Sequence, residues 1–133
     1  MAGHTMDKAV ASEAAFIMYA AKSGWEVAKP IHHSNGYDFV VRMSGPEHGW
    51  STVQVKTAYS DRTGRRQPTR AVSLRRCNEK GSRPYHPFEF NWLFVVDDKE
   101  CWFIPWAQIE EEGIRSTLTV SSKKWAVFKV KSD

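Results

Sequence analysis

Two segments with the alternating pattern of β-strands constrain the fold most strongly. They are residues 37–43 and residues 50–59. Because successive side chains of a strand point to opposite faces, Gln54 and Lys56 should project from one face of the second segment. Asp38 lies near the start of the first segment. We therefore expect two neighbouring strands on which Asp38, Gln54 and Lys56 converge.

The N-terminal segment, residues 7–23, has the periodicity of an amphipathic helix ending before Gly24. Its apolar residues recur at steps of three and four: Val10, Ala14, Ile17, Met18 and Ala21. Glu13 lies one turn from both Val10 and Ile17, so we expect it to face inward with this stripe. A buried carboxylate is costly without a partner. The alternative is a partly exposed Glu13 at the edge of the stripe.

The remaining pattern predicts further strands and one short helix. The predicted strands are residues 25–29, 71–74, 92–96, 101–104 and 125–130, and the predicted helix is residues 105–112. A charged turn from Asp97 to Glu100 joins two of these strands. No repeat or internal linker interrupts the sequence. We expect one domain spanning residues 1–133.

Composition excludes several classes of protein. The 133 residues are 41% hydrophobic and 26% charged, which are ordinary values for a globular domain. No apolar run approaches the roughly 18 residues needed to span a bilayer, and no signal peptide is recognisable. Cys77 and Cys101 lack metal-finger spacing and suit a reducing compartment. We therefore expect a cytoplasmic, intracellular protein that is not associated with a membrane. Nucleoid-associated and phage-encoded proteins both fit this expectation.

Positive charge is concentrated in residues 62–83, although the net charge of the chain is only +4. The basic residues of this segment are Arg62, Arg65, Arg66, Arg70, Arg75, Arg76, Lys80 and Arg83. Such clustering is typical of proteins that bind the phosphate backbone of nucleic acids. A solvated, mobile basic loop is the alternative. The charges alone do not decide between the two.

The converging polar residues have the chemistry of a magnesium site. Mg²⁺ takes one or two carboxylates, keeps several waters and can add substrate phosphate oxygens. Asp38 and Glu13 supply carboxylates, Gln54 a side-chain carbonyl and Val55 a main-chain carbonyl. Lys56 can orient water and stabilise charge on a phosphate. Taken singly, Asp38 is equally well a turn residue, and Gln54 and Lys56 are common types on an exposed strand face.

Read together, these segments resemble the PD-(D/E)xK nuclease superfamily. The order is most similar to the small archaeal Holliday-junction resolvase and group I intron homing endonuclease branches. The resemblance runs from about residue 7 to residue 130 and rests on Glu13, residues 24–27 with Pro30, residues 37–41, residues 53–57, Tyr85, residues 90–96 and residues 102–106. It implies an α/β, restriction-endonuclease-like fold with a central mixed β-sheet flanked by helices.

The resemblance also implies a role for each matching residue. Asp38 matches the first acid of the motif and Lys56 its lysine, while Glu13 matches a helical glutamate that several branches use as a metal ligand. Gln54 stands at the second acid position, which lowers the negative charge of the site by one. Glutamine is known there in the homing endonuclease branch. Tyr37 stands where the motif has its proline.

The resemblance therefore implies a Mg²⁺-dependent DNA endonuclease, with Mn²⁺ as a substitute, that hydrolyses phosphodiester bonds as a junction resolvase or a homing-type enzyme. The alternative is a DNA-binding protein with a weak or inactive nuclease fold. A protein-interaction subunit is a third interpretation, which leaves the basic cluster unexplained. Since two cuts need two sites, we expect a homodimer or homotetramer, with the apolar segment 92–106 as its interface. The substrate structure does not follow from the sequence.

Overall fold

The computed structural model describes residues 4–31, 36–43, 49–62, 68–78, 81–85, 89–98 and 100–131. The first half comprises helix α1 (His4–Lys22) and strands β1 (Glu26–Ala28), β2 (Phe39–Arg42), β3 (Trp50–Thr57), β4 (Tyr59–Asp61), β5 (Thr69–Ser73), β6 (Arg75–Asn78) and β7 (Gly81–Pro84). The second half comprises β8 (Trp92–Val96), β9 (Cys101–Pro105), α2 (Trp106–Glu111), β10 (Thr117–Leu118), a 3₁₀ helix (Lys123–Phe128) and β11 (Lys129–Val130).

Six strands form the central sheet, in the order β1-β2-β3-β8-β9-β11. The β3–β8 pair is parallel, with Val55 opposite Phe94, and the other neighbouring pairs are antiparallel. Two smaller groups complete the described strands: a three-stranded sheet, β10-β5-β4, and the β6–β7 hairpin. The predicted α/β class with a central mixed sheet is confirmed.

Both faces of the central sheet are covered, which explains why β8 and β9 are continuous apolar runs. On one face, the side chains of Phe94 and Phe103 belong to a cluster that includes Phe16 of α1. On the other, Leu93 and Ile104 belong to a cluster that includes α2 and the smaller three-stranded sheet. The predicted dimer interface at residues 92–106 is therefore wrong, because most of these side chains are buried in the core of one chain.

Helix α1 begins three residues before its predicted start and ends at Lys22, just before Gly24 at φ 77°, but its buried face is not the predicted one. The stripe expected to face inward is exposed, with Val10 at 64%, Ile17 at 47% and Met18 at 54% of full exposure. The buried face carries Ser12, Phe16 and Ala20 instead.

Two contacts explain this half-turn difference in phase. The ring of Phe16 packs against Phe39 and Phe94, with centroids 5.2 and 5.1 Å apart. One buried aromatic ring removes as much apolar area from water as several small aliphatic side chains do. The hydroxyl of Ser12 shares a 2.7 Å hydrogen bond with that of Thr57, which satisfies a polar group on the buried face.

Two other predicted segments also differ. Residues 125–130 form mainly a 3₁₀ helix rather than a strand, because a three-residue step places Trp125 and Phe128 on the same side toward the core. The basic segment 62–83 contains β5, β6 and β7 rather than a loop throughout. Within the described residues, no helix is long and apolar enough to cross a membrane.

Candidate active site

Asp38 immediately precedes β2 and extends the pairing of that strand with β3. Its N–H donates to the carbonyl of Val53 at 2.9 Å, and its Oδ2 accepts a hydrogen bond from the N–H of Val55 at 2.8 Å. Phe39 pairs with Val53, and Asp38 is the residue just before this pair. The two hydrogen bonds hold its carboxylate beside the main chain of Val55.

Gln54 and Lys56 project from the face of β3 opposite to Val53 and Val55, as the alternation predicts. The side-chain amide of Gln54 donates to the carbonyl of Val55 at 3.4 Å. The side chain of Gln54 therefore contacts the carbonyl of the residue whose N–H is bound to Asp38. The structure brings Asp38, Gln54 and Val55 together at the end of β2.

Glu13 is held at the edge of the buried face of α1, with its side chain 30% exposed. It forms an ion pair with Lys29, which follows β1 and whose Nζ lies 4.8 Å from the ring centroid of Phe39. This matches the alternative of a partly exposed Glu13; the inward position on the predicted stripe is wrong. The sequence indicated that the carboxylate of Glu13 needs a partner, but it did not indicate that Lys29 is that partner.

The electrostatics of Asp38 show that these groups are close to one another. Burial raises the pKa of Asp38 above its ordinary 3.8, and the negative charge of Glu13 raises it further. The hydrogen bond from Val55 and the positive charges of Lys29 and Lys56 act in the opposite direction. Glu13, Lys29 and Lys56 therefore lie within electrostatic reach of Asp38. Two mutually repelling carboxylates beside main-chain and amide oxygens fit a divalent cation, whose charge would relieve the repulsion.

The donor set is poor in acidic residues. Among the residues that the structure describes, no group of three or more His, Cys, Asp or Glu side chains could hold a metal ion. This agrees with glutamine at the second acid position, which leaves Glu13 and Asp38 as the acidic candidates. A cation bound there would depend on neutral oxygens, namely those of Gln54 and Val55, and on water.

Lys56 is half-buried and its ammonium lies toward the β6–β7 hairpin. Its Nζ lies 3.5 Å from the carbonyl oxygen of Arg75 and 5.4 Å from the ring centroid of Tyr85. Tyr85 belonged to the resemblance but was not a predicted site residue. Its proximity to Lys56 follows from the hairpin, whose pairing the sequence did not show.

The predicted DNA-binding residues are in different environments. Arg62 is exposed, whereas Arg70 donates to both carboxylate oxygens of Asp97, at 2.9 and 2.6 Å, and to the carbonyl of Ala58 at 3.3 Å. Arg70 thus joins β5 to the end of β8 within the fold. Arg75 contributes its main chain near Lys56. Arg65, Arg66 and Lys80 lie outside the described residues, as do the side chains of Arg76 and Arg83.

Comparison with known structures agrees with this architecture. The chain is similar to a bacterial homing endonuclease, I-Ssp6803I, at 24% sequence identity and a TM-score of 0.70. The match covers 98% of this chain and 86% of that chain. No curated protein gives a significant match. The structural likeness shows that the two chains share a fold.

The sequence as a whole also matches a family profile, described as PD-(D/E)XK endonuclease, over residues 3–127. This span contains the helix with Glu13, the Asp38 turn and the strand with Gln54 and Lys56. The predicted superfamily is confirmed: the chain belongs to the PD-(D/E)XK endonuclease family.

Proposed function

We propose that this nuclease is a Mg²⁺-dependent DNA endonuclease in which Glu13, Asp38, Gln54 and Val55 hold the metal and Lys56 acts on the phosphate. The observation that carries the proposal is the position of Asp38. Its carboxylate is bound to the N–H of Val55, the residue after Gln54, and is within electrostatic reach of Lys56. Mn²⁺ should substitute for Mg²⁺, because both accept oxygen ligands.

The acidic and basic residues of the proposed site have different roles. A bound divalent cation would polarise the phosphate and lower the pKa of a coordinated water. Asp38 and Glu13 would hold this cation beside the β2–β3 edge. The ammonium of Lys56 donates hydrogen bonds to the phosphate or to the attacking water and stabilises the negative charge that develops. The water oxygen bonds to phosphorus as the opposite phosphorus–oxygen bond breaks, while the water loses a proton to solvent and the departing oxygen takes one up.

Plasmid nicking tests this proposal directly. Asp38→Asn and Lys56→Met should each abolish Mg²⁺-dependent cleavage, while DNA binding measured in Ca²⁺ is retained. Asp98→Asn and Lys123→Met are the matched controls, because both of these residues are exposed. Full cleavage by either site variant would refute the assigned roles. A panel of linear, nicked, forked and four-way junction DNAs would then separate resolvase from homing-type activity.

A second candidate is a DNA-binding protein with little or no cleavage. Two contacts favour it: the side-chain amide of Gln54 donates to the carbonyl of Val55, and the ammonium of Lys29 forms an ion pair with the carboxylate of Glu13. Both contacts use groups that the metal would need. This candidate predicts salt-dependent DNA binding without cleavage in Mg²⁺ or Mn²⁺, and binding that Asp38→Ala leaves unchanged.

The proposed endonuclease assembles as a homodimer or homotetramer through the exposed stripe on α1. The stripe comprises Val10, Ala14, Ile17, Met18 and Ala21. Asp7 lies at its N-terminal end and Lys22 at its C-terminal end. Antiparallel packing of two copies about a two-fold axis brings Asp7 of one copy to Lys22 of the other. Both the charges and the helix dipoles are then complementary.

A further inference from the structure

The β6–β7 hairpin begins and ends at the ammonium group of Lys56. Arg75 is the first residue of β6 and pairs with Pro84, the last residue of β7. The carbonyl of Arg75 lies 3.5 Å from Nζ of Lys56, and the ring of Tyr85, the residue after Pro84, has its centroid 5.4 Å from the same atom. The ammonium therefore contacts both chain segments at the base of this hairpin.

The ring of Tyr85 is fixed by the core. It packs edge-on against Phe90, at a centroid distance of 4.9 Å, and against Trp106, at 5.9 Å. Phe90 and Trp106 are buried. An aromatic face so held attracts a cation at a defined place, and the attraction strengthens as the cation is removed from water.

We propose that Tyr85 is a positioning residue for Lys56: its ring, held by Phe90 and Trp106, places the ammonium where it acts on the scissile phosphate. The inference rests on the proposed endonuclease function.

The first test uses NMR and needs no activity. A ring so close to an ammonium shifts the adjacent ε-methylene signals of Lys56 upfield through its ring current, and Lys56→Met identifies those signals. The upfield shift should persist in Tyr85→Phe and disappear in Tyr85→Leu. Lys56 signals without an upfield shift in the native chain would overturn the proposal.

The second test uses cleavage kinetics. Tyr85→Leu should lower kcat by roughly 2- to 30-fold, the loss of one cation–π contact, with KM nearly unchanged. Tyr85→Phe should keep the native kcat, because it retains the ring over which the ammonium lies. Equal losses in both variants would refute the positioning role. If Asp38→Asn still cleaves DNA, the proposed function is refuted. The NMR test still shows whether the Tyr85 ring holds the Lys56 ammonium, because it does not depend on cleavage.

Discussion

Replacing Arg70 with methionine should destabilise the fold and leave the salt dependence of DNA binding unchanged. Methionine keeps an apolar chain of similar length, so the variant removes chiefly the guanidinium. That group makes two charge-assisted hydrogen bonds to Asp97 and a third to the carbonyl of Ala58. The side chain of Arg70 is 34% exposed and that of Asp97 is 14% exposed.

These values set the size of the effect. Breaking a fully buried ion pair by removing one partner costs about 3–5 kcal/mol, because the remaining charge is left unpaired. Water reaches about a third of Arg70, and it can partly solvate the carboxylate left behind, so we expect about 2 kcal/mol. For a domain of this length, that loss lowers Tm by roughly 7 °C.

Urea unfolding at pH 7 measures the loss, and Arg62→Met is the matched control. Arg62 is exposed, so its replacement should leave the free energy of unfolding within about 0.5 kcal/mol of the native value. As a phosphate contact, it should reduce the salt slope of DNA binding by roughly 0.9. The reasoning about Arg70 is refuted if Arg70→Met keeps native stability and reduces the salt slope instead.

Three further predictions concern the site and the assembly. Because burial raises the pKa of Asp38, the protonated form stabilises the metal-free fold fully below pH 3.8, and this contribution is lost as pH rises through the raised value. Asp38→Asn should therefore raise the urea midpoint at pH 7 and give no gain below pH 3.8; an equal gain at both pH values would contradict this. Lys29→Gln should tighten Mg²⁺ binding in calorimetry, because the metal no longer displaces a cation from Glu13; weaker binding would show that Lys29 assists the metal. Met18→Lys should shift sedimentation toward the monomer while preserving the helical circular dichroism, and an unchanged sedimentation coefficient would exclude the α1 stripe as the interface.

The strands were predictable because their patterns are local. Two-residue alternation in β3 and the apolar runs of β8 and β9 each indicate a strand without reference to the rest of the chain. The shared face of Gln54 and Lys56 followed from the same alternation, which buries Val53 and Val55 on the other face. The resemblance then assigned a chemical role to each residue whose place on a strand the periodicity had predicted.

The phase of α1 was not predictable from periodicity, since two opposite faces of this helix carry apolar residues. The buried face of the helix is set by Phe16, which packs against rings that come much later in the sequence, including that of Phe94. The same limit applies to Arg70 and Asp97, which pair across 27 residues. From the sequence, Arg70 is one of eight basic residues, and only the fold shows that Asp97 is its partner.

The parallel pairing of β3 with β8 has a consequence for how this enzyme can change during evolution. Parallel neighbours require a crossover, and here residues 58–91 form it, with β4 to β7 inside. Its ends are fixed by the buried pair Val55 and Phe94, while doubling a connecting loop costs only about 0.6 kcal/mol of closure entropy. Insertions in the loops that connect these strands can therefore accumulate without shifting the carboxylates by a register step. A descendant could then reach new DNA targets while the proposed metal site stays the same.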